Sequence, residues 1–229
     1  MRKLVIIPTY NEIENIQKLL PQLMALKESF DVLVVDDYSP DQTAEFVKTF
    51  AASEPRVNLL VRKIKNGLGQ AYIAGFKWGI AKNFDALIEM DADFSHRPQD
   101  LVKILNEIEF QDVVIGSRYV PGGQTVNWGV LRKLISRGGS LYSRMILGFP
   151  VRDWTGGFNA WRTEVLQKIG LDTIQSNGYS FQIELKYKAQ KNAYQVKEIP
   201  IVFEDRQVGQ SKMSFKIVLE AFYKVWMIK

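Results

Sequence analysis

Short, predominantly apolar segments alternate along the first half of the chain with longer segments in which apolar residues recur at helical spacing. The short segments have the length of buried strands and comprise residues 4–7, 32–35, 57–61, 86–90 and 113–115. The longer segments predict amphipathic helices, as Ile16, Leu19 and Leu23 illustrate in the first of them. Predominantly apolar strands that alternate with helices indicate an α/β fold with a mostly parallel sheet covered on both faces.

Two of these helices carry sequence signals for where they begin. Asn11 and Glu14 have the spacing of a capping box, which predicts that the first helix starts directly after Asn11. Ser39 is a capping residue followed by Pro40, so the second helix is predicted to start at this proline.

The alternation fades after residue 115. Residues 119–127 form a glycine-rich segment, which we interpret as a mobile flap beside the functional site. Residues 130–147 have the pattern of a basic helix.

Composition narrows the function classes. The 229 residues, 46% of them hydrophobic, can bury the core of one domain. Cysteine is absent, which excludes disulfides, cysteine metal sites and a cysteine nucleophile. A net charge of +5 from 30 basic and 25 acidic residues is a mild excess that favours phosphates or anionic lipid as partners. Zinc-finger, RNP and basic-zipper patterns are absent from the sequence, and we predict no nucleic-acid binding.

The N-terminus lacks the apolar region and cleavage site of a secretory signal. No window approaches the roughly 18 uncharged apolar residues that a membrane span requires. We therefore expect a protein that is not exported and is either soluble or peripheral to a membrane.

Candidate chemistry concentrates at the carboxyl ends of the predicted strands, where ligands of parallel sheets bind. Asp91 and Asp93 follow the fourth strand and can share a divalent cation that bridges phosphates, although solvated turn acids are the alternative interpretation. A dinucleotide fingerprint is not formed, because Tyr72 stands where its third glycine would be. Tyr10 could stack on a base, or could pack at the entry of the first helix instead.

Seven motifs then point to a family. They are Pro8-Thr9-Tyr10-Asn11-Glu12, Val35-Asp36-Asp37-Tyr38-Ser39-Pro40-Asp41, Asp91-Ala92-Asp93-Phe94-Ser95-His96, Ser117-Arg118-Tyr119, Ile135-Ser136-Arg137-Gly138, Asp153-Trp154-Thr155-Gly156-Gly157-Phe158 and the segment from Asp205 to Met213. In this order they resemble the inverting glycosyltransferases of the GT-A fold, and the later ones resemble dolichol-phosphate (polyprenol-phosphate) mannose synthases. The resemblance covers nearly the whole chain. It implies a Rossmann-like GT-A sheet followed by a C-terminal amphipathic helix.

The resemblance also implies a set of site residues. The sugar nucleotide would be held by Pro8, Tyr10, Glu12, Val35, Asp37, Asp91, Ala92, Asp93, Arg118, Arg206 and Lys212. Within that set, Asp91 and Asp93 match the metal motif that binds Mg²⁺ or Mn²⁺, and Asp93 and Arg118 match the catalytic positions. The acceptor phosphate would lie against Arg118, Arg132 and Ser136.

The implied reaction is transfer of mannose from GDP-mannose to a polyprenyl (dolichyl) phosphate with inversion. A phosphate monoester loses its second proton near pH 6, so the acceptor is already a nucleophile at neutral pH and needs little help from a base. His96, the only histidine, is therefore interpreted as a structural residue rather than a catalytic base.

The same resemblance divides the single domain into a nucleotide-sugar half (1–118), an acceptor half (119–212) and an interfacial helix (213–229). Phe215, Leu219, Phe222 and Trp226 are spaced for one apolar face of that helix, which suits a membrane surface, core packing or a subunit contact. We expect the chain to be cytoplasmic and peripheral on the cytoplasmic face of a membrane, bound to lipid directly or through an anchoring subunit.

Two alternatives stay open from the sequence. A related enzyme could load glucose from UDP-glucose onto the same lipid phosphate. A non-catalytic nucleotide-binding module could also keep the fold, but it would not need both phosphate sites.

Overall fold

The structure is a computed structural model that describes residues 1–174, 176, 178–205 and 223–229. Arg206, Lys212 and most of the predicted interfacial helix lie outside the described residues. Across the described ranges, no helix is both long enough and apolar enough to cross a bilayer.

The described part of the chain alternates strands and helices, as the apolar pattern predicts. The strands are β1 (Lys3–Thr9), β2 (Asp31–Asp36), β3 (Val57–Val61), β4 (Ala86–Glu89), β5 (Val113–Ser117), β6 (Gln124–Val126), β7 (Asn159–Arg162), β8 (Val196–Pro200) and β9 (Val202–Glu204). The helices are α1 (Ile13–Met24), α2 (Thr43–Ser53), α3 (Leu68–Ala81), α4 (Pro98–Glu107), α5 (Val130–Leu147), α6 (Thr163–Ile169) and α7 (Gly178–Lys191). A short 3₁₀ turn (Leu171–Thr173) separates α6 from α7, and residues 223–228 are helical.

One sheet organises the molecule, with the strand order β3-β2-β1-β4-β7-β5-β8. Strand β7 is antiparallel to both of its neighbours, whereas the remaining neighbouring pairs are parallel. In the described residues, β6 and β9 form a separate parallel pair. The prediction of a mostly parallel α/β sheet is therefore confirmed, and β7 is the antiparallel strand that apolar runs did not reveal.

The sheet has a hydrophobic core on each face, because successive residues of a strand point to opposite sides. In β1, Leu4 and Ile6 pack with α3 and α7, whereas Val5 and Ile7 pack with α1 and α4. Gly75 of α3 is required by close packing, since an added Cβ would lie 2.5 Å from the Ile6 side chain. Both helical layers therefore rest directly on the strands whose ends form the site.

The predicted starts of the first two helices are wrong. Helix α1 begins at Ile13, after a backbone turn in which Asn11 has a φ of 58°. Helix α2 begins at Thr43 rather than at the proline, because Asp41 accepts hydrogen bonds from the Thr43 N–H (3.1 Å) and from the Ile13 N–H (3.0 Å). One carboxylate thus caps the N-termini of two helices, an arrangement that a local capping motif cannot reveal.

The segment 119–127, which we interpret from the sequence as a flap, contains a strand that the sequence pattern did not predict. Strand β6 lies within it and pairs with β9, a partner far along the chain. Gly123 packs against the end of β5, where a Cβ would lie 2.6 Å from the Ser117 carbonyl oxygen. Whether this segment moves during function stays a prediction.

Candidate active site

The carboxyl ends of β1 and β2 are joined by a buried carboxylate. Asp36 accepts hydrogen bonds from the Thr9 hydroxyl (2.8 Å), the Ser39 hydroxyl (2.6 Å) and the Ser39 N–H (2.8 Å). The next residue, Asp37, donates its own N–H to the Thr9 carbonyl oxygen (3.0 Å). These bonds fix the backbone of the turn that follows β2 and carries Asp37.

Two basic residues that sequence reasoning missed complete this part of the site. Arg62 Nη1 lies 2.9 Å from Asp37 Oδ1 as an ion pair, although its N–H is not aligned for a hydrogen bond. Lys65 Nζ lies 3.2 Å from the centroid of the Tyr10 ring. Burial raises the pKa of Asp37, and Arg62 opposes that increase. The signal in the sequence was the basic run that directly follows β3.

The other residues predicted to hold the nucleotide differ in how exposed they are. Pro8 and Val35 are partners in the parallel register of β1 and β2. Val35 is fully buried in the core and has a strand partner on each side. Glu12 is the N-cap residue of α1, and its carboxylate accepts a hydrogen bond from the Asn15 side-chain amide (2.6 Å).

The acid-x-acid motif follows β4, as predicted. The Tyr72 hydroxyl donates to Asp91 Oδ1 (3.0 Å), and the Ser95 N–H donates to Asp93 Oδ1 (3.1 Å). Ala92 and Asp93 are buried, whereas Asp91 is half-buried. Burial and the neighbouring Asp91 raise the pKa of Tyr72 well above its ordinary value, so this phenol remains a donor.

These residues fit a divalent cation that is shared with a substrate. Mg²⁺ commonly uses one or two carboxylates and completes its shell with phosphate oxygens and water. In residues 1–174, 176, 178–205 and 223–229, no group of three His, Cys, Asp or Glu side chains could hold a metal. The Ser95 hydroxyl is buried beside Asp93 and has no hydrogen-bond partner among the described residues. Two carboxylates and this unpaired oxygen are hard donors of the kind that Mg²⁺ and Mn²⁺ prefer.

His96 has a structural role in this geometry. Its Nδ1 accepts a hydrogen bond from the Asp91 N–H (2.9 Å), and its ring stacks on Phe158 with centroids 4.4 Å apart. Burial lowers the pKa of His96, an effect that Asp91 and Asp93 oppose and Arg118 reinforces. The imidazole is therefore neutral, and it lies near both the acidic motif and Arg118.

Arg118 at the end of β5 is held by a bidentate ion pair with Asp153. The Arg118 Nε–H donates to Asp153 Oδ2 (2.7 Å) and an Nη2 N–H donates to Asp153 Oδ1 (2.6 Å). A second Nη2 N–H donates to the Thr155 hydroxyl (2.9 Å). The two N–H groups of Nη1 take no part in these bonds. Arg118 thus has one fixed orientation and keeps donors for a ligand.

The ion pair is almost completely buried. Burial alone would lower the pKa of Arg118, but the Asp153 carboxylate raises it above its ordinary value. Burial alone would raise the pKa of Asp153, but the Arg118 guanidinium lowers it. Both groups therefore stay charged at neutral pH. Asp153 also accepts a hydrogen bond from the Gly156 N–H (2.9 Å), so the same carboxylate fixes its own loop and orients Arg118.

The residues predicted for the acceptor phosphate lie near Arg118. Arg132 donates through Nη1 to Asp205 Oδ1 (2.5 Å), and the Ser136 hydroxyl accepts a hydrogen bond from the Tyr119 hydroxyl (2.7 Å). Trp128 connects these groups, since its ring centroid lies 4.1 Å from Arg132 Cζ and 5.5 Å from Arg118 Cζ. Sequence reasoning missed Trp128. The signal in the sequence was a tryptophan directly after the glycine-rich segment 119–127.

Phe203 of β9 supports the same cluster. Its ring centroid is 5.4 Å from Arg118 Cζ and 5.3 Å from the Trp128 ring. It also contacts the His96 ring edge-on, at 5.4 Å. The aromatic cluster therefore links the end of β4, the end of β5 and the segment before α5.

The acidic pair Asp91 and Asp93, the basic residues beside Tyr10 and Asp37, and the two arginines on the Trp128 ring lie around the carboxyl ends of the strands of a GT-A sheet. The class of protein is a glycosyltransferase. The model of glycosyl transferase family 2 matches residues 4–170, and the chain belongs to this family.

Two curated relatives are similar to this chain over nearly its whole length. The chain is 49% identical to the undecaprenyl-phosphate mannosyltransferase of Micrococcus luteus, over 98% of this chain and 93% of the relative. It is 45% identical to the polyprenol monophosphomannose synthase of Mycolicibacterium smegmatis, over 98% of this chain and 85% of the relative. A solved mannosyltransferase from Pyrobaculum calidifontis, in complex with GDP-Man and Mn²⁺, shares the fold with a TM-score of 0.66. That similarity covers 99% of this chain and 64% of the solved chain at 17% identity.

Proposed function

We propose that this glycosyltransferase moves mannose from GDP-mannose to the phosphate of a polyprenol, with inversion at the anomeric carbon and release of GDP. The observation that carries the proposal is the position of Arg118 and Arg132 on one Trp128 ring. Two guanidinium groups on one ring suit a reaction in which two anionic substrates must meet. Both curated relatives described above have names that combine mannose with a polyprenyl phosphate.

The nucleotide-sugar half, residues 1–118, would bind the donor. Tyr10, Asp37, Arg62 and Lys65 surround the ends of β1, β2 and β3, where the nucleoside would lie. Asp91 and Asp93 would hold Mg²⁺ or Mn²⁺, which stabilises the negative charge that develops on a departing diphosphate. Arg206 and Lys212 remain proposed donor contacts outside the described residues.

The acceptor half, residues 119–212, would hold the lipid phosphate. Arg132 and Ser136 share helix α5, and Arg118 faces the same aromatic cluster. The acceptor phosphate is already ionised near neutral pH, so these residues need only align it and screen its repulsion from the donor. His96 is neutral, and its Nδ1 already accepts a hydrogen bond from the Asp91 N–H, which supports a mechanism without a histidine base.

Helix α5 also offers a surface for reaching a lipid substrate. Its exposed apolar residues form what we term the α5 apolar face, comprising Val130, Leu131, Leu134, Leu141 and Met145. Tyr223 and Trp226 are exposed as well, and the Trp226 indole N–H donates to the Tyr142 hydroxyl of α5 (2.7 Å). Apolar residues interspersed with arginine and lysine are typical of helices that lie in a membrane interface. We propose peripheral binding to the cytoplasmic face of a membrane through this face.

A donor comparison tests the function. We expect polyprenyl phosphate in detergent to acquire label from radioactive GDP-mannose at least about tenfold faster than from UDP-glucose, and only with Mg²⁺ or Mn²⁺ present. The measurement is label extracted into organic solvent, with a chelator as the control. Label from UDP-glucose alone would refute the donor, and no label from either would favour the non-catalytic module.

Membrane binding is predicted to depend on the α5 apolar face. Replacing Leu134 and Leu141 by glutamate should lower partitioning onto anionic vesicles by at least about tenfold, because each leucine contributes roughly 1.5–3 kcal/mol when buried. Vesicle flotation measures this, and Phe110→Glu is the control because Phe110 is even more exposed than the two leucines but lies outside the face. Equal flotation of all three proteins would exclude this surface and favour an anchoring subunit.

A further inference from the structure

Lys186 of α7 is a fully buried lysine that the proposed mechanism does not use. Its Nζ donates to the carbonyl oxygens of Asp153 (2.8 Å) and Gly156 (2.7 Å), and lies 3.4 Å from the carbonyl oxygen of Trp154. An ammonium group has three N–H donors, and here all three face backbone carbonyls of one loop.

That loop carries the carboxylate that orients Arg118. Besides Lys186, Glu198 of β8 holds the loop, since its carboxylate accepts hydrogen bonds from the Arg152 N–H (2.7 Å) and the Asp153 N–H (2.9 Å). The backbone of Asp153 is thus fixed from α7 and from β8. Its side chain is left to make the two bonds to the Arg118 guanidinium.

Burying a lysine is costly unless its charge is compensated. Burial lowers the pKa of Lys186 to about 8, although Asp153 and Glu89 act to raise it. Glu89 lies inside the same core, where it accepts hydrogen bonds from the Trp161 indole (2.6 Å) and the Gln182 amide. A methionine would fill similar space without this cost, so the lysine is more than a packing residue.

We propose that Lys186 is a positioning residue, which fixes the Asp153 loop so that Arg118 presents its Nη1 N–H groups to the reacting phosphates. This inference rests on the proposed function of Arg118. A displacement of about 1 Å in an aligned group can reduce turnover about a hundredfold, so a buried support of this kind has a large effect on rate.

The kinetic test uses Lys186→Met, with Lys191→Met as the matched control, because Lys191 is exposed at the end of the same helix. Turnover is expressed per GDP-binding site, counted by calorimetric titration with Mn²⁺, which corrects for any misfolded fraction. We expect Lys186→Met to lower kcat by at least about tenfold and to change the KM for the donor by less than about threefold. Lys191→Met should match the wild type.

A double variant separates positioning from general stability. Asp153→Asn removes the ion pair but keeps the loop carbonyl groups. If Lys186 acts through Asp153, Lys186→Met combined with Asp153→Asn should lose no more activity than the worse single variant. Multiplied losses would overturn the inference, as would a kcat for Lys186→Met equal to the wild type. Lys186→Gln, which keeps two N–H donors, replaces Lys186→Met if the latter does not fold.

A spectroscopic readout is independent of the donor. The Arg118 Nε–H is buried in its bond to Asp153, so its ¹H–¹⁵N signal should exchange slowly with water in the wild type and in Lys191→Met. Arg118→Lys assigns the signal. We expect Lys186→Met to make this exchange fast, and an unchanged signal would overturn the inference even if GDP-mannose proved to be the wrong donor. Failure of the proposed function would appear instead as a wild type that does not use GDP-mannose.

Discussion

Asp93→Asn is expected to lower kcat by about a thousandfold at saturating Mn²⁺, the largest loss for a single substitution in this site. Asparagine removes the charge that helps to hold a cation but keeps the side-chain oxygen that accepts the Ser95 N–H at 3.1 Å. The local turn should therefore survive, and thermal unfolding should show little change. Initial rates of mannosyl transfer measure the first effect, and Mn²⁺ titration followed by electron paramagnetic resonance measures weakened metal binding.

The matched control for this experiment is Asp172→Asn. Asp172 is exposed, pairs with Lys77 and lies outside the strand-end crevice. Its substitution should leave the rate within about twofold of the wild type, as surface substitutions usually do. If Asp93→Asn retained a rate within threefold, the acid-x-acid motif would not be the cation site and the donor half of the proposal would fail.

Arg118→Lys is expected to reduce kcat by about a hundredfold, although the positive charge is preserved. Lysine cannot donate to both oxygens of Asp153 and to Thr155 while it also reaches a phosphate, because its three donors radiate from one point. The buried Asp153 would lose part of its hydrogen bonding, so the free energy of unfolding should fall by about 1–3 kcal/mol. Steady-state kinetics and urea unfolding provide the two measurements.

Arg152→Lys controls for the charge and for the neighbourhood of the loop. Arg152 precedes Asp153 and is exposed, and the described contact with Glu198 is made by its backbone N–H rather than by its side chain. We expect this variant to behave as the wild type in both measurements. A fully active Arg118→Lys enzyme would show that position 118 supplies charge alone and that its bidentate orientation is irrelevant.

The strand-and-helix framework was largely predictable from the chain itself. Apolar runs of strand length predicted β1 to β5, because a strand buried on both faces needs apolar residues at most of its positions. Strand β7 was not predictable in this way. It inserts between β4 and β5 in the antiparallel direction, and its short sequence Asn-Ala-Trp-Arg includes polar residues. Its position is set by pairing with β4 and β5, and local periodicity carries no information about which strands will pair.

Helix starts illustrate the same limit. Asn11 and Ser39 have suitable side chains for capping, but Asp41 satisfies the N-termini of both α1 and α2. Ser39 instead donates to Asp36 and accepts the Asn11 N–H (3.0 Å). Competition among several acceptors for the same N–H groups is decided by where the chain segments meet, and a motif of four residues does not carry that information.

The sequence by itself determined the parallel framework, the placement of Asp91 and Asp93 after a strand and the family to which the chain belongs. Only the tertiary structure decided that Asp153 orients Arg118, that Trp128 lies beside both arginines and that Lys186 donates to the backbone carbonyl groups of the Asp153 loop. The physical reason is range. Periodicity and strand-end chemistry depend on neighbours within one or two turns. Arg118 and Lys186 instead contact a loop residue that lies 35 and 33 positions away in sequence, and Trp128 reaches Arg118 only because the segment before α5 folds back onto the end of β5.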